Sequence, residues 1–320
     1  MHTPLVAAAE LADWIAAGRA DLRVVDVRWY LGQPRGTGRA AFDDGHIPGA
    51  SHVDLDTDLV AASGPGRHPL PDPTDFATTM GGHGVGDDDL VVIYDDVGGW
   101  VAARLWWMLD DLGFGAGGTG GAAVLDGGIQ AWIAARGALS TENSRRPSST
   151  LRLRSTWGRV IDRAALRGQL GKVLLLDARA GPRYRGEIEP IDPTPGHIPT
   201  ALNAPVEGNL GTDGRFLQPP QLADRFRQLR LRAGANGLTD VTESSGPVVT
   251  SCGSGVLACH NALAMRIAGL ASPILYPGSY SDWSTASEPV VRGAEPGTVA
   301  RSDRSGVTES QPINRTVAGS

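Results

Sequence analysis

The chain has 320 residues, 41% hydrophobic and 20% charged, with a net charge of −6. That is the balance of a soluble globular protein long enough for two domains, each able to bury a core without disulfides or metals. The acidic balance and the lack of any Lys/Arg run argue against nucleic acid as a partner, and no apolar run approaches the roughly 20 residues of a membrane span.

The opening MHTPLVAAAELADWIAAG lacks a basic stretch and carries Glu10 and Asp13, so it reads as an amphipathic helix rather than a signal peptide. The first half then runs LRVVDVRWY (22–30), GHIPGA (45–50), LVVIYDD (90–96), a helical WVAARLWWMLDDLGF (100–114) and AAVLDGGIQAW (122–132). Leu105, Met108, Leu109 and Leu112 fall on one face of that helix. Trp106 and Trp107 read as packing residues. A stretch rich in Ser, Arg and Pro, 141–157, reads as a linker.

The second half runs KVLLLDAR (172–179), GHIPTALNAP (196–205), GPVVTSCGSG (246–255), VLACHNALAMRIAGL (256–270) and SPILYPGSYSDW (272–283). Five segments recur in the same order, so the chain is an internal repeat. The expected units are 1–140, the linker, and 158–288, with a polar tail, 289–320, expected to be disordered. Further surface additions are expected at 115–121 and 232–246. Short β-branched runs alternating with helical ones predict an α/β fold, each half a parallel sheet flanked by helices. In such sheets functional groups lie at the C-terminal strand ends, where Cys252 and its repeat counterpart Asp95 both fall.

The segment Ser251-Cys252-Gly253-Ser254-Gly255-Val256-Leu257 carries the most chemistry. A strand ends, two glycines allow a tight loop, and a helix begins. Backbone N–H groups turned inward at a helix N-terminus favour an anion, which suits a thiolate or a bound persulfide. Cys259, two turns into the helix, reads as core. Two cysteines are too few for a disulfide framework, and a reducing, cytoplasmic setting fits them. Cysteines and histidines do not take zinc spacing, and no metal or organic cofactor is implied.

Together GHIPGA, WWM, LDGG with AW, the RYRGE and EP of 183–190, and CGSGV at 252–256 resemble the rhodanese and 3-mercaptopyruvate sulfurtransferase family over about residues 5–285. The resemblance implies two tandem rhodanese-like domains, with the active cysteine in the second only. The neutral CGSGV loop is similar to that of the mercaptopyruvate branch, with Leu257 where a Thr is usual. Gly253, Gly255, Val256 and Leu257 are then expected to border the substrate. The implied donor clamp has Arg183 as one arginine; the second would fall at Ile191, leaving Arg185 as a substitute. The implied Ser-His-Asp arrangement falls on Ser254 and His46, with no acid between Asp26 and Asp43, and Asp43 or Asp44 as stand-ins. Because GHIP recurs at His197, His46 has a turn-stabilising reading as well.

The expected function is transfer of a sulfane sulfur from thiosulfate or 3-mercaptopyruvate, through a Cys252 persulfide, to cyanide, a small thiol or a protein thiol. Three rivals are weighed against it. A cysteine phosphatase would need a cation where Ala258 stands. A non-enzymatic persulfide carrier or regulatory binding module would fit the departures at Leu257 and Ile191. A redox sensor would need Cys259 as resolving thiol.

Overall fold

The computed structural model describes residues 3–118, 120–143, 146–235 and 246–298. The first half holds β1 (Leu5–Val6), β2 (Leu22–Asp26), β3 (Ser51–His52), β4 (Leu90–Tyr94) and β5 (Gly121–Leu125), in the order β1-β5-β4-β2-β3. The second holds β6 (Leu174–Asp177), β7 (Leu202–Asn203), β8 (Val248–Ser251) and β9 (Ile274–Leu275), in the order β7-β6-β8-β9. Every pairing between these strands is parallel. The repeat is therefore structural: β2, β3, β4 and β5 correspond to β6, β7, β8 and β9.

Alternation along the strands sorts the apolar side chains onto two faces. In β2 and β4, Val25, Val91 and Ile93 face inward, while Val24 and Val92 face an outer helical layer. In β6, Leu174 and Leu176 face the same inner core, and Leu175 faces outward. The inner faces of both sheets share one continuous core, in which helix Ala102–Asp111 packs against its repeat counterpart, helix Leu257–Ile267. Leu105 and Met108 belong to that core together with Ala258, Cys259 and Leu263. Each fully buried large side chain there contributes about 1.5–3 kcal/mol, and those shared by the two halves hold them together.

The linker is a strap laid on the first half. Ser149 N–H donates to Gly81 O at 2.8 Å, and Arg154 N–H to Leu112 O at 2.9 Å. Trp157 stacks on Trp107, with centroids 5.7 Å apart, and donates to Pro71 O at 3.0 Å.

The tail departs from the expected disorder over its described part. Val291 pairs with His197 in an antiparallel bridge, and Thr200 N–H donates to Pro296 O. The cause is the turn at 196–201, whose buried backbone groups need partners. Ser140 serves His46 identically in the first half. Residues 299–320, and 236–245 of the addition at 232–246, lie outside the described residues.

Candidate active site

Strand β8 ends at Ser251, and Cys252 opens the loop that leads into helix Leu257–Ile267. Its side chain is 1% exposed. Loop carbonyls are drawn outward: Tyr280 N–H donates to Cys252 O and Ser281 N–H to Gly253 O, each at 2.9 Å. The loop N–H groups consequently turn in. Gly255 N–H lies 3.1 Å and Ser254 N–H 3.4 Å from Cys252 Sγ. Gly255 has φ +80°, and a Cβ there would sit 2.5 Å from Pro277 O, so both backbone conformation and space demand glycine. Cys252 N–H is itself held by Ser279 Oγ at 3.1 Å.

The first half shows what this loop is built to hold. Asp95, at the same place after β4, accepts hydrogen bonds from the N–H groups of Val97, Gly99, Val101 and Ala102, at 2.8–3.0 Å. The Asp95 carboxyl fills the cradle that in the second half surrounds a sulfur, with burial raising its pKa and the loop N–H groups opposing that rise.

Ser254 Oγ lies 2.8 Å from His68 Nδ1, and His68 Nε2 lies 3.5 Å from Asp56 Oδ1. Asp56 also accepts from Trp29 Nε1 at 3.0 Å, and Trp29 meets the His68 ring edge-on. Burial, and then the positive charge of Arg104, push His68 down to about 4, so the imidazole is neutral near pH 7 and can take a proton. Arg104 is fully buried and donates to His68 O at 3.0 Å and Gly255 O at 3.3 Å, tying the histidine to the cysteine loop.

A pocket of about 370 Å³ opens over Cys252 between the two halves, lined by Trp29, Trp100, Arg67, Arg183, Val256 and Leu257 among others. Arg183 reaches it from helix Gly181–Arg185, held by Glu189 at 2.7 Å and Asp192 at 3.1 Å. A larger groove, of about 720 Å³, opens at the other ends of β6 and β8, beside Leu174 and Val248 and away from Cys252.

The structure thus brings together Cys252, Gly253, Ser254, Val256, Leu257 and Arg183, with Gly255 in the loop itself. Three expectations are corrected. His46 is not at the site: it stacks on Phe42 at 3.8 Å, with Nδ1 2.8 Å from Phe42 O and Nε2 3.1 Å from Glu142 O. His197 repeats this on Tyr184 and Glu295 with the same three distances, so both histidines lock GHIP turns. Asp43 pairs with Arg39 instead. Arg185 is also elsewhere, paired with Glu187 at the surface, because it lies on the other side of its short helix from Arg183. Cys259 is core: its thiol is 3.3 Å from Gly255 O, and burial pushes it up to about 12. His68, Asp56, Arg67 and Arg104 went unread. The segment carrying Arg67 and His68 gave no separate signal, because GRHPLP (66–71) has a repeat counterpart in GRFLQP (214–219), each between a short helix and a longer one.

The comparisons agree with this geometry. The model of the rhodanese-like domain matches residues 7–135 and 162–286. A "Probable 3-mercaptopyruvate sulfurtransferase" of Pseudomonas aeruginosa is 45% identical over 280 residues, covering 85% of this chain and 93% of the relative. The thiosulfate sulfurtransferase of Mus musculus is 30% identical over 305 residues, covering 91% and 95%. The solved 3-mercaptopyruvate sulfurtransferase from Leishmania major superposes with a TM-score of 0.73 at 29% identity, covering 88% of this chain and 74% of that one. With both matched segments each built around its own parallel sheet, the chain belongs to the rhodanese family and is a sulfurtransferase of two rhodanese-like domains.

Proposed function

We propose that the protein takes its sulfur from 3-mercaptopyruvate. The observation that carries this is the contact of Ser254 with the neutral His68, backed by Asp56, beside Cys252. Thiosulfate releases sulfite without needing a proton. A carbon–sulfur donor releases a carbanion-like enolate, which does need one, and a relay at the sulfur suits that chemistry.

The Cys252 thiolate attacks the donor sulfur. The S–S bond forms, the C–S bond breaks, and its electron pair becomes the enolate of pyruvate. The proton leaving the donor thiol passes through Ser254 and His68 to the enolate carbon. Atoms balance as thiolate plus mercaptopyruvate giving persulfide anion plus pyruvate. The persulfide rests against the N–H groups of Ser254 and Gly255. An acceptor (cyanide, a small thiol or a protein thiol) then attacks the outer sulfur and returns the Cys252 thiolate. No metal or organic cofactor takes part in this scheme. Two free thiols suit a reducing compartment such as the cytoplasm, and no helix among the described residues is long and apolar enough to cross a membrane.

The test is thiocyanate formation from cyanide with each donor, together with intact mass after donor alone. The wild type and Cys259→Ser should gain one sulfur and turn over mercaptopyruvate faster than thiosulfate, while Cys252→Ser does neither. A wild type that gains no sulfur from mercaptopyruvate overturns the reading.

A further inference from the structure

We infer that the pocket over Cys252 carries an acceptor subsite of its own, built for a small thiol on an apolar, ring-sized body; this rests on the Cys252 persulfide of the reading above. The donor does not account for the pocket lining. A three-carbon keto acid is recognised by charge and hydrogen bonds, and groups of that kind gather by Gly253 and Ser254. A Cβ at Gly253 would lie 3.5 Å from Arg183 Nη1, and Ser254 Oγ touches His68. The remaining wall is chiefly hydrocarbon. Trp29, Tyr30, Leu31, Val97 and Trp100 supply it from the first domain, and Leu257 from the second.

That wall is arranged to present carbon. Trp29 Nε1 donates to Asp56 Oδ2 at 3.0 Å and Tyr30 OH to Asp96 Oδ2 at 2.6 Å, and neither acid lines this pocket. The polar tips of both rings are thus satisfied elsewhere. Both rings are also fixed before a ligand arrives, which lowers the ordering cost of binding. Trp100 Nε1 is buried with no hydrogen-bond partner among the described residues, a donor still available to an oxygen or nitrogen of the ligand. Leu257 stands where a Thr is usual, so a hydroxyl beside the sulfur is replaced by hydrocarbon. Leu31, 53% exposed, borders the same pocket and carries the apolar wall out to the surface.

The order of steps leaves room for such a ligand. Pyruvate departs before the acceptor enters, so donor and acceptor occupy the pocket in turn. The acceptor thiol RSH then attacks the outer sulfur of the persulfide. A new S–S bond forms, the bond from Sγ to the outer sulfur breaks, and its electron pair stays on Sγ. The thiol proton ends on the outer sulfur, so RSH and the Cys252 persulfide anion give RSSH and the Cys252 thiolate. Burial of R against the wall holds the thiol at that sulfur, and each methylene removed from water strengthens binding about fourfold. A cavity of about 370 Å³ has the size of a small-molecule site. A charged body would lose its hydration on this wall. The ligand class that follows is an uncharged thiol bearing an aromatic ring or a short alkyl chain.

Kinetics of the second half-reaction test this without any donor. Cys252 is loaded with sulfur from polysulfide, and loss of the persulfide is followed by stopped flow and intact mass. The acceptors are benzyl mercaptan and 2-mercaptoethanol, whose thiols are of similar acidity. At equal subsaturating concentration benzyl mercaptan should react about tenfold to a hundredfold faster, the effect of burying part of one ring. The ratio of the two rates cancels any effect of a variant on the persulfide itself. It should fall about three- to tenfold in Leu257→Thr and in Leu31→Ser, and stay near wild type in Leu257→Met, which keeps the apolar bulk. A wild-type ratio near one overturns the inference, whatever the rate with a protein thiol. So does a ratio that Leu257→Thr and Leu31→Ser both leave unchanged. A Cys252 that takes no sulfur from polysulfide sinks the persulfide reading, and this inference with it. A wild type that shows the preference but gains no sulfur from mercaptopyruvate sinks the donor assignment and leaves the acceptor subsite standing.

Discussion

Ser254 and His68 stand 186 positions apart in the chain and in different domains, yet their side chains meet at 2.8 Å beside the nucleophile. At the matching strand end of the first domain it is Asp95, in place of a cysteine, that accepts the loop N–H groups. In the proposed reaction the first domain takes part by lending side chains across the cleft.

His68→Gln should lower kcat with mercaptopyruvate by about a hundredfold or more, the scale of lost general acid–base catalysis. Asp56→Asn should cost less, because Asp56 touches the ring only at 3.5 Å. The persulfide cradle is untouched in both, so Cys252 preloaded with sulfur from a polysulfide should still react with cyanide at near the wild-type rate. Stopped-flow measurement of each half-reaction checks this, and an equal loss in both halves would count against the relay.

Acid stability follows from two buried histidines. His68 is held at about 4 and His260 at about 3, each against an ordinary value of 6.5 and each mainly by burial. Below about pH 6.5 the unfolded chain binds protons that the folded chain refuses, so stability falls as pH drops toward those values and is fully present above it. Thermal unfolding between about pH 4 and 7 should show a falling Tm on acidification, and His68→Gln should flatten part of that slope. An unchanged slope would show that His68 protonates freely in the folded state.

Asp95→Ala should orphan four N–H groups in the interior of the first domain. Lost hydrogen bonding by buried groups costs about 1–3 kcal/mol each, with partial relief if water enters, so a net loss of several kcal/mol is expected. Denaturant titration reads the loss directly. Cys252 should still load sulfur under native conditions, since its own cradle is built from the second domain.

What was legible in the chain was local. The repeat, the β-branched strands and the Cys252 loop each lie within a few successive residues, and Gly255 announces its backbone conformation by being glycine. Arg183 was legible through the family resemblance of the RYRGE stretch that carries it. His68, Asp56 and Arg67 were not, because their function arises from docking one domain on the other, and no periodicity or spacing encodes that contact. The resemblance set the relay histidine on His46, whereas both GHIP histidines are buried and satisfied at two ring nitrogens. The recurrence of GHIP in both halves was the evidence for a turn.

Arg104 supplies the last prediction. A buried guanidinium is costly without a carboxylate, and among the described residues none pairs with it. Its three acceptors are the carbonyls of His68, Gly255 and Leu59. Burial lowers its pKa, and the neighbouring sulfurs of Cys259 and then Cys252 act in the opposite direction. The cost is offset where charge is needed, at an anionic sulfur in a site of low dielectric. Arg104→Met should therefore slow alkylation of Cys252 by neutral iodoacetamide at pH 7 by about three- to tenfold, a change of the size expected from removing one nearby charge. Arg104→Lys, which keeps the charge but not the fork of donors, should recover the alkylation rate more fully than it recovers turnover. The two readouts separate because turnover also needs His68 and Gly255 held in one frame. Equal loss of both in Arg104→Lys would mean that the guanidinium acts by geometry alone.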